Sequence, residues 1–381
     1  MNIRLTLSKI KPGRLSKILI FTIMVLTIFT ITINTALSAA TYTNGDTPLN
    51  KIQDSPQYKQ GKFTNPIGWN ERPSFSTIKE YFFGKQERSP KNTIPQENMD
   101  ISRFLTADTN QLNVTNAGHS SLLINIDGYR ILTDPVFEPK ITIMGPSRFN
   151  KKLPLDINEL KGIDYVLISH NHYDHLNKFS IQFLNPNVGQ YIVPLAVGAQ
   201  LEKWGIPRDK ITELDWWDEL QLNDDLLVVA TPAQHFSGRG LTDRDKTLWG
   251  SYVIQTRNHN VYFSGDSGYF DGFKKIGDKY GPFDIAFMEC GAYNQGWASI
   301  HMFPEETAQG ALDLKAKHLW PIHWGTFNLS LHDWFDPMVR VTIAAEELGV
   351  PLLTPIFGQT IVYPDNEGSK DWWTPIQELV L

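Results

Sequence analysis

Tyr165-Val166-Leu167-Ile168-Ser169-His170-Asn171-His172-Tyr173-Asp174-His175 is the stretch on which the reading of this chain turns. Its first four residues form an apolar run of the kind that makes a buried strand. Directly after it come three imidazoles and a carboxylate within six positions. Imidazole and carboxylate are ligands of zinc and of neighbouring divalent metals. In extended backbone His170 and His172 project to the same side. Asp174 and His175 follow as the chain turns, which aims them at a second point nearby. One cluster can therefore seed two adjacent metal ions. Three of the ten histidines fall in these six positions, which separates the cluster from a polar loop that happens to hold a histidine.

The cluster does not complete two coordination spheres, and three later residues can. His235 follows the apolar run Leu226–Ala230, Asp266 follows Val261–Ser264, and His323 follows the run ending at Ile322. Each lies just past a short strand, where loops gather at one edge of a sheet. Gly265 and Gly268 allow the backbone to bend tightly around Asp266. His301 precedes a helix that opens at Pro304, with Glu305 and Glu306 in its first turn.

The composition excludes other chemistries. With 35 basic and 41 acidic residues the net charge is −6, which disfavours a basic nucleic-acid binder. A single cysteine, Cys290, rules out an internal disulfide and a thiolate-rich zinc site. An apolar fraction of 41% against 20% charged residues fits a globular body. Residues 1–40 hold five basic side chains and no acid, then the apolar run from Ile18, then Ala36, Ser38, Ala39 and Ala40. That order is expected of a signal peptide or an N-terminal membrane anchor, so the body is expected outside the cytoplasm, periplasmic or anchored. Residues 41–105 read as a linker and an aromatic-rich extension packed on the body. Residues 106–365 read as the main folded domain and 366–381 as a surface-lying tail.

From Leu112 short β-branched runs alternate with turns. Strands are expected at Leu112–Thr115, Ser121–Ile126, Arg130–Thr133, Tyr165–Ser169, Leu226–Ala230, Ser251–Gln255, Val261–Ser264, Ile285–Glu289 and His318–Ile322. Helices are expected near 178–184, 196–204, 304–316 and 336–348. The order predicts two packed sheets flanked by helices, an α/β fold. Trp216, Trp217 and Cys290 are expected in the core, and His259, His318 and His332 in packing or surface roles.

The set His-x-His-x-Asp-His, followed by His, Asp and His after successive strands, resembles the metallo-β-lactamase superfamily. More narrowly the chain resembles the N-acyl-phosphatidylethanolamine-hydrolysing phospholipase D family, from about Gly68 to Tyr363. The blocks that carry this are Gly118-His119-Ser120-Ser121, Leu132-Thr133-Asp134-Pro135, Gly145 to Phe149, Glu213-Leu214-Asp215-Trp216-Trp217, Leu248 to Ser251, Gly281 to Asp284 and Ile322-His323-Trp324-Gly325-Thr326-Phe327. The resemblance implies an αββα sandwich of two mixed sheets with an N-terminal extension. It implies two Zn²⁺ per chain, with iron or manganese as substitutes that suit the same ligands. His170, His172 and His235 would hold one metal, Asp174, His175 and His323 the other, and Asp266 would bridge them. His301 and Asp174 are the catalytic candidates, and His301 is also the candidate for binding the phosphate. His119 is read as support beside the site. The sequence departs from the family at Thr142-Ile143 and at Met302-Phe303-Pro304, which bears on head-group or acyl preference.

The implied activity is hydrolysis of N-acyl-phosphatidylethanolamine to phosphatidate and an N-acylethanolamine, by attack on phosphorus of a hydroxide bridging the metals. The alternatives are a lactonase of the ascorbate-6-phosphate type and a non-catalytic, metal-stabilised envelope protein. Expected partners are a phospholipid substrate, a membrane surface and a second copy of the chain in a homodimer, with no nucleic acid.

Overall fold

The computed structural model describes residues 49–68, 74–106, 110–365, 368 and 371–374. The predicted signal peptide or anchor, 1–40, and most of the 366–381 tail lie outside the described residues. Among the described residues no helix is long and apolar enough to cross a membrane.

The extension opens with a short hairpin, β1 (Tyr58–Lys59) and β2 (Lys62–Phe63). A first large sheet is built by β3 (Leu112–Gly118), β4 (Ser121–Ile126), β5 (Tyr129–Thr133), β6 (Ile163–Leu167), β7 (Val188–Pro194) and β8 (Ile211–Leu214). A second is built by β9 (Glu219–Asn223), β10 (Leu226–Thr231), β11 (Ser251–Gln255), β12 (Asn260–Phe263), β13 (Phe283–Glu289) and β14 (Ala316–Ile322). The last strand, β15 (Thr360–Tyr363), returns to the first sheet and pairs antiparallel with β3. Each sheet begins as an antiparallel meander and then turns parallel. The change comes at β5 to β6 in the first sheet and at β12 to β13 in the second.

Alternation along the strands sorts the layers. Leu112, Val114, Leu122 and Ile124 meet Tyr252, Ile254, Phe287 and Trp320 between the sheets. On the outer face of the first sheet, Leu123, Leu132, Val166 and Val193 pack with Ile181 and Leu184 of the helix Lys178–Leu184. On the outer face of the second, Val229, Val253, Ala286 and Met288 pack with the helices Gly272–Tyr280, Pro304–Asp313 and Asp336–Leu348. The result is the expected αββα sandwich. Strands buried on both faces explain the near-continuous apolar runs in the sequence.

Trp320 is 1% exposed and its ring centroid lies 5.4 Å from that of Phe287, midway between the layers. Trp320→Ala is expected to lower stability by about 3–5 kcal/mol in denaturant unfolding, because the sheets cannot collapse onto the void. A loss under about 1 kcal/mol would show that this contact does not hold the layers together.

The helix Gly272–Tyr280 was not anticipated. Its two glycines weaken the helical signal, yet Gly277 is needed there: a Cβ on it would lie 2.3 Å from the Asp313 carbonyl oxygen. Trp216 is buried as expected, but Trp217 is 36% exposed. It takes a positive φ of 73°, which turns its ring out beside Lys279 rather than inward with its neighbour. The tail is not wholly surface-lying either. Trp373 is 4% exposed, and Trp372 stacks on Trp324, the residue after His323. The extension packs on the body through Phe63, and Asn65 both donates to and accepts from the backbone of His235.

Candidate metal centre

The predicted residues all follow strands of the sandwich and meet at one edge of it. His170, His172, Asp174 and His175 lie in the loop after β6, His235 after β10, Asp266 after β12 and His323 directly after β14. Local backbone geometry makes these turns sharp. Gly265 has φ +54°, and a Cβ on it would sit 2.4 Å from the Ser169 Cβ, so only glycine lets Asp266 approach the histidine loop. His323 itself has a positive φ of 66°, a strained conformation for a side chain of its size.

Two donor clusters share one carboxylate. In the first, His172 Nδ1 lies 2.8 Å from His170 Nε2 and 3.2 Å from His235 Nε2. In the second, Asp174 Oδ2 lies 3.6 Å from His175 Nε2 and 3.5 Å from His323 Nε2. Between them, Asp266 Oδ2 is 3.1 Å from both His175 Nε2 and His323 Nε2, 3.9 Å from His170 Nε2 and 3.8 Å from His235 Nε2. All seven residues of the predicted set are thus brought together.

The outer hydrogen bonds fix which nitrogen of each ring faces inward. His235 Nδ1 donates to the Ile300 carbonyl at 3.0 Å, so its Nε2 carries a lone pair. His175 Nδ1 donates to Asp134 Oδ2 at 2.7 Å, which turns its Nε2 toward Asp266. Ser169 Oγ donates its one proton to Asp134 at 2.5 Å and therefore accepts from His170 Nδ1 at 2.9 Å. The lone pairs of His170 and His235 accordingly converge in a buried space beside Asp174 and Asp266. His175 Nε2, His323 Nε2 and Asp266 Oδ1 are buried with no hydrogen-bond partner among the described residues. Converging lone pairs and anions are unfavourable unless a cation lies between them, and this nitrogen and oxygen set fits divalent transition metals.

The titration behaviour agrees. Burial and the neighbouring imidazoles hold His170 well below the ordinary histidine range, and burial with crowding does the same for His235, so both rings stay neutral. For His323, burial opposes protonation but Asp266 and Asp174 push it up to about 10. The carboxylates demand positive charge at this place, and without a metal it must come from an imidazolium.

Asp134 and Glu289 were missed as parts of the site. Asp134 is fully buried and binds both Ser169 and His175, so it supports one member of each cluster. Its block was noticed, but nothing local showed what it faced. His119 stands beside the site as expected, and closely: its Nε2 is 3.0 Å from Asp174 Oδ2 and its ring lies 4.0 Å from that of His323. Glu289 stands behind His301. His259 takes the expected packing role, pairing with Asp284 far from the centre, and His332 stacks on Tyr293. Asp134→Asn is expected to weaken metal binding about 10–100-fold in a competition titration with a chromophoric chelator. Unchanged affinity would show that the Asp134–His175 bond does not orient the ring.

The centre opens into a cleft of about 380 Å³. His301 and Arg244 lie on its wall together with Phe236, Trp297, Ile300 and Leu329. Charged groups lie beside the donor clusters and apolar groups beyond them.

Sandwich and centre together define a metal-dependent hydrolase. The profile of the Beta-lactamase superfamily domain matches residues 129–324. An uncharacterized protein of Mycobacterium tuberculosis is 39% identical over 84% of this chain and 88% of its own length. N-acyl-phosphatidylethanolamine-hydrolyzing phospholipase D 1 of Caenorhabditis elegans is 30% identical over 79% of this chain and 92% of its own length. Among solved structures, an isothiocyanate hydrolase from Delia radicum gut bacteria shares the fold, with TM-score 0.54, 20% identity, and coverage of 65% of this chain and 98% of that one. The chain belongs to the metallo-β-lactamase superfamily and, within it, to the N-acyl-phosphatidylethanolamine-hydrolysing phospholipase D-like family.

Proposed function

We propose that this hydrolase is a phosphodiesterase of the phospholipase D type that releases an N-acylethanolamine and phosphatidate from N-acyl-phosphatidylethanolamine. The observation that carries the reading is the cleft, where the two donor clusters, His301 and Arg244 face one another across an apolar wall. The similarity to the nematode enzyme over nearly its whole length supports the choice of substrate class. Two divalent cations, zinc first among them, would supply a nucleophile near neutral pH and offset the charge of the phosphodiester oxygens. Asp266 sets the spacing of the two clusters. Arg244 offers a cation to the phosphate, and Phe236, Trp297 and Leu329 exclude water and receive acyl chains. His301 stands over both clusters, with its ring 5.0 Å from that of His235 and 5.5 Å from that of His323, where it can give a proton to the leaving oxygen.

Access from a bilayer is consistent with the rim. Ile143 and Met144 project from the loop between Ile141 and Pro146, and Phe75, Tyr81 and Phe83 from the helix Phe75–Phe83. Thr77 of that helix packs against Gly296 on the cleft wall. We propose a membrane-side location for the body, with residues 1–40 directing it there. The test is incubation of the zinc-loaded protein with vesicles containing N-acyl-phosphatidylethanolamine, read by mass spectrometry. Phosphatidate and N-acylethanolamine are the expected products. Acyl-ester cleavage, or turnover of a sugar lactone alone, would overturn the reading.

A further inference from the structure

His301 has a partner that its sequence position does not reveal. Glu289 is the last residue of β13, beside Ile322 of β14 and hence next to His323. Its side chain is fully buried. One oxygen, Oε2, is 2.8 Å from His301 Nδ1, and the other, Oε1, accepts from the Met302 backbone N–H at 2.8 Å. Its own backbone is pinned on both sides: its N–H donates to Ser264 Oγ and its carbonyl accepts from Thr307 Oγ1. Among the described residues the carboxylate has no lysine or arginine partner. A buried acid held this firmly, with the His301 imidazole as its ionisable hydrogen-bond partner among the described residues, is costly unless that pairing has a use.

We propose that Glu289 is the positioning residue for His301, holding its Nδ1–H so that Nε2 points into the cleft at the leaving oxygen of the substrate. The inference rests on the phosphodiesterase reading for the identity of that oxygen. As the bond from phosphorus to the leaving oxygen breaks, this oxygen takes the Nε2 proton of the His301 imidazolium. The ring keeps its Nδ1 proton on Glu289. Water gives its hydroxyl to phosphorus and its remaining proton restores Nε2. The Met302 N–H on Oε1 leaves Oε2 with one orientation, and rings of both clusters flank the imidazole, so the proton is delivered along a fixed line.

The test compares wild type, Glu289→Gln and Glu289→Asp, all zinc-loaded. Two substrates differ in leaving group: an alkyl phosphodiester, whose alkoxide needs a proton, and bis(p-nitrophenyl) phosphate, whose phenolate does not. Glu289→Gln is expected to lower kcat on the alkyl diester about 10²-fold, with KM within about twofold, and to leave the nitrophenyl rate nearly unchanged. Glu289→Asp, which keeps the charge, is expected to regain part of the loss. Equal losses on both substrates would overturn the proposal. Independently, ¹⁵N NMR of histidine-labelled protein, with His301 assigned through His301→Gln, should show a proton on Nδ1 in wild type whose signal moves in Glu289→Gln. An unprotonated Nδ1, or a metal equivalent lost with Glu289, would also overturn it. A wild type inactive on both diesters would sink the phosphodiesterase reading, and the Nδ1 signal would still decide the Glu289–His301 pair.

Discussion

Asp266→Asn is expected to reduce hydrolysis by roughly 10³-fold or more while the fold is retained. The reason is charge and place. Asp266 is 3% exposed, and its Oδ2 is the atom that both clusters share, 3.1 Å from His175 and His323 and under 4 Å from His170 and His235. Asparagine keeps the shape and removes the anion, so two cations can no longer be drawn together. Loss of metal-centred charge stabilisation amounts to several kcal/mol, at about 1.4 kcal/mol for each tenfold in rate. Elemental analysis should show metal falling well below the wild-type stoichiometry, alongside an unchanged circular dichroism spectrum. Full activity with full metal content would contradict the bridging role.

Metal removal is expected to abolish activity and also to loosen the fold. Without cations, the inward lone pairs of His170 and His235 crowd one another, and the anions of Asp174 and Asp266 are offset only by imidazolium at His175 and His323 in buried space. Cations held by these residues would bind the folded chain and not the unfolded one, so saturation a thousandfold above Kd would contribute about 4 kcal/mol. For a body of this size a chelator is expected to lower Tm by roughly 5–10 °C, with recovery on adding zinc. A Tm indifferent to chelation would mean that the imidazole cluster is satisfied without metal.

The parts of this site that the sequence made legible share a local signature. His170, His172, Asp174 and His175 stand together after an apolar run, and His235, Asp266 and His323 each follow one. Much of the strand framework was legible for the same reason: Ser121–Ile126 and Ser251–Gln255 form as expected because they are apolar runs, whereas Val188–Pro194, Ile211–Leu214, Glu219–Asn223 and Thr360–Tyr363 were not read as strands. The residues that were missed act through partners distant in sequence. Asp134 meets His175 across 41 positions, and the Glu289–His301 contact passes through an irregular loop. No periodicity marks such contacts. Trp217 was misplaced because apolar character sets a preference for burial, whereas the turn at its positive φ sets the direction of its side chain. The extension likewise gave no sign that Asn65 would hold the backbone of His235.

The most direct test of the account is anomalous diffraction at the zinc edge from crystals of the zinc-loaded protein. Two peaks per chain are expected. One should lie about 2.0–2.2 Å from His170 Nε2, His172 Nδ1 and His235 Nε2, and the other at the same range from Asp174, His175 Nε2 and His323 Nε2, with Asp266 touching both. A single peak, or peaks away from Asp266, would contradict it.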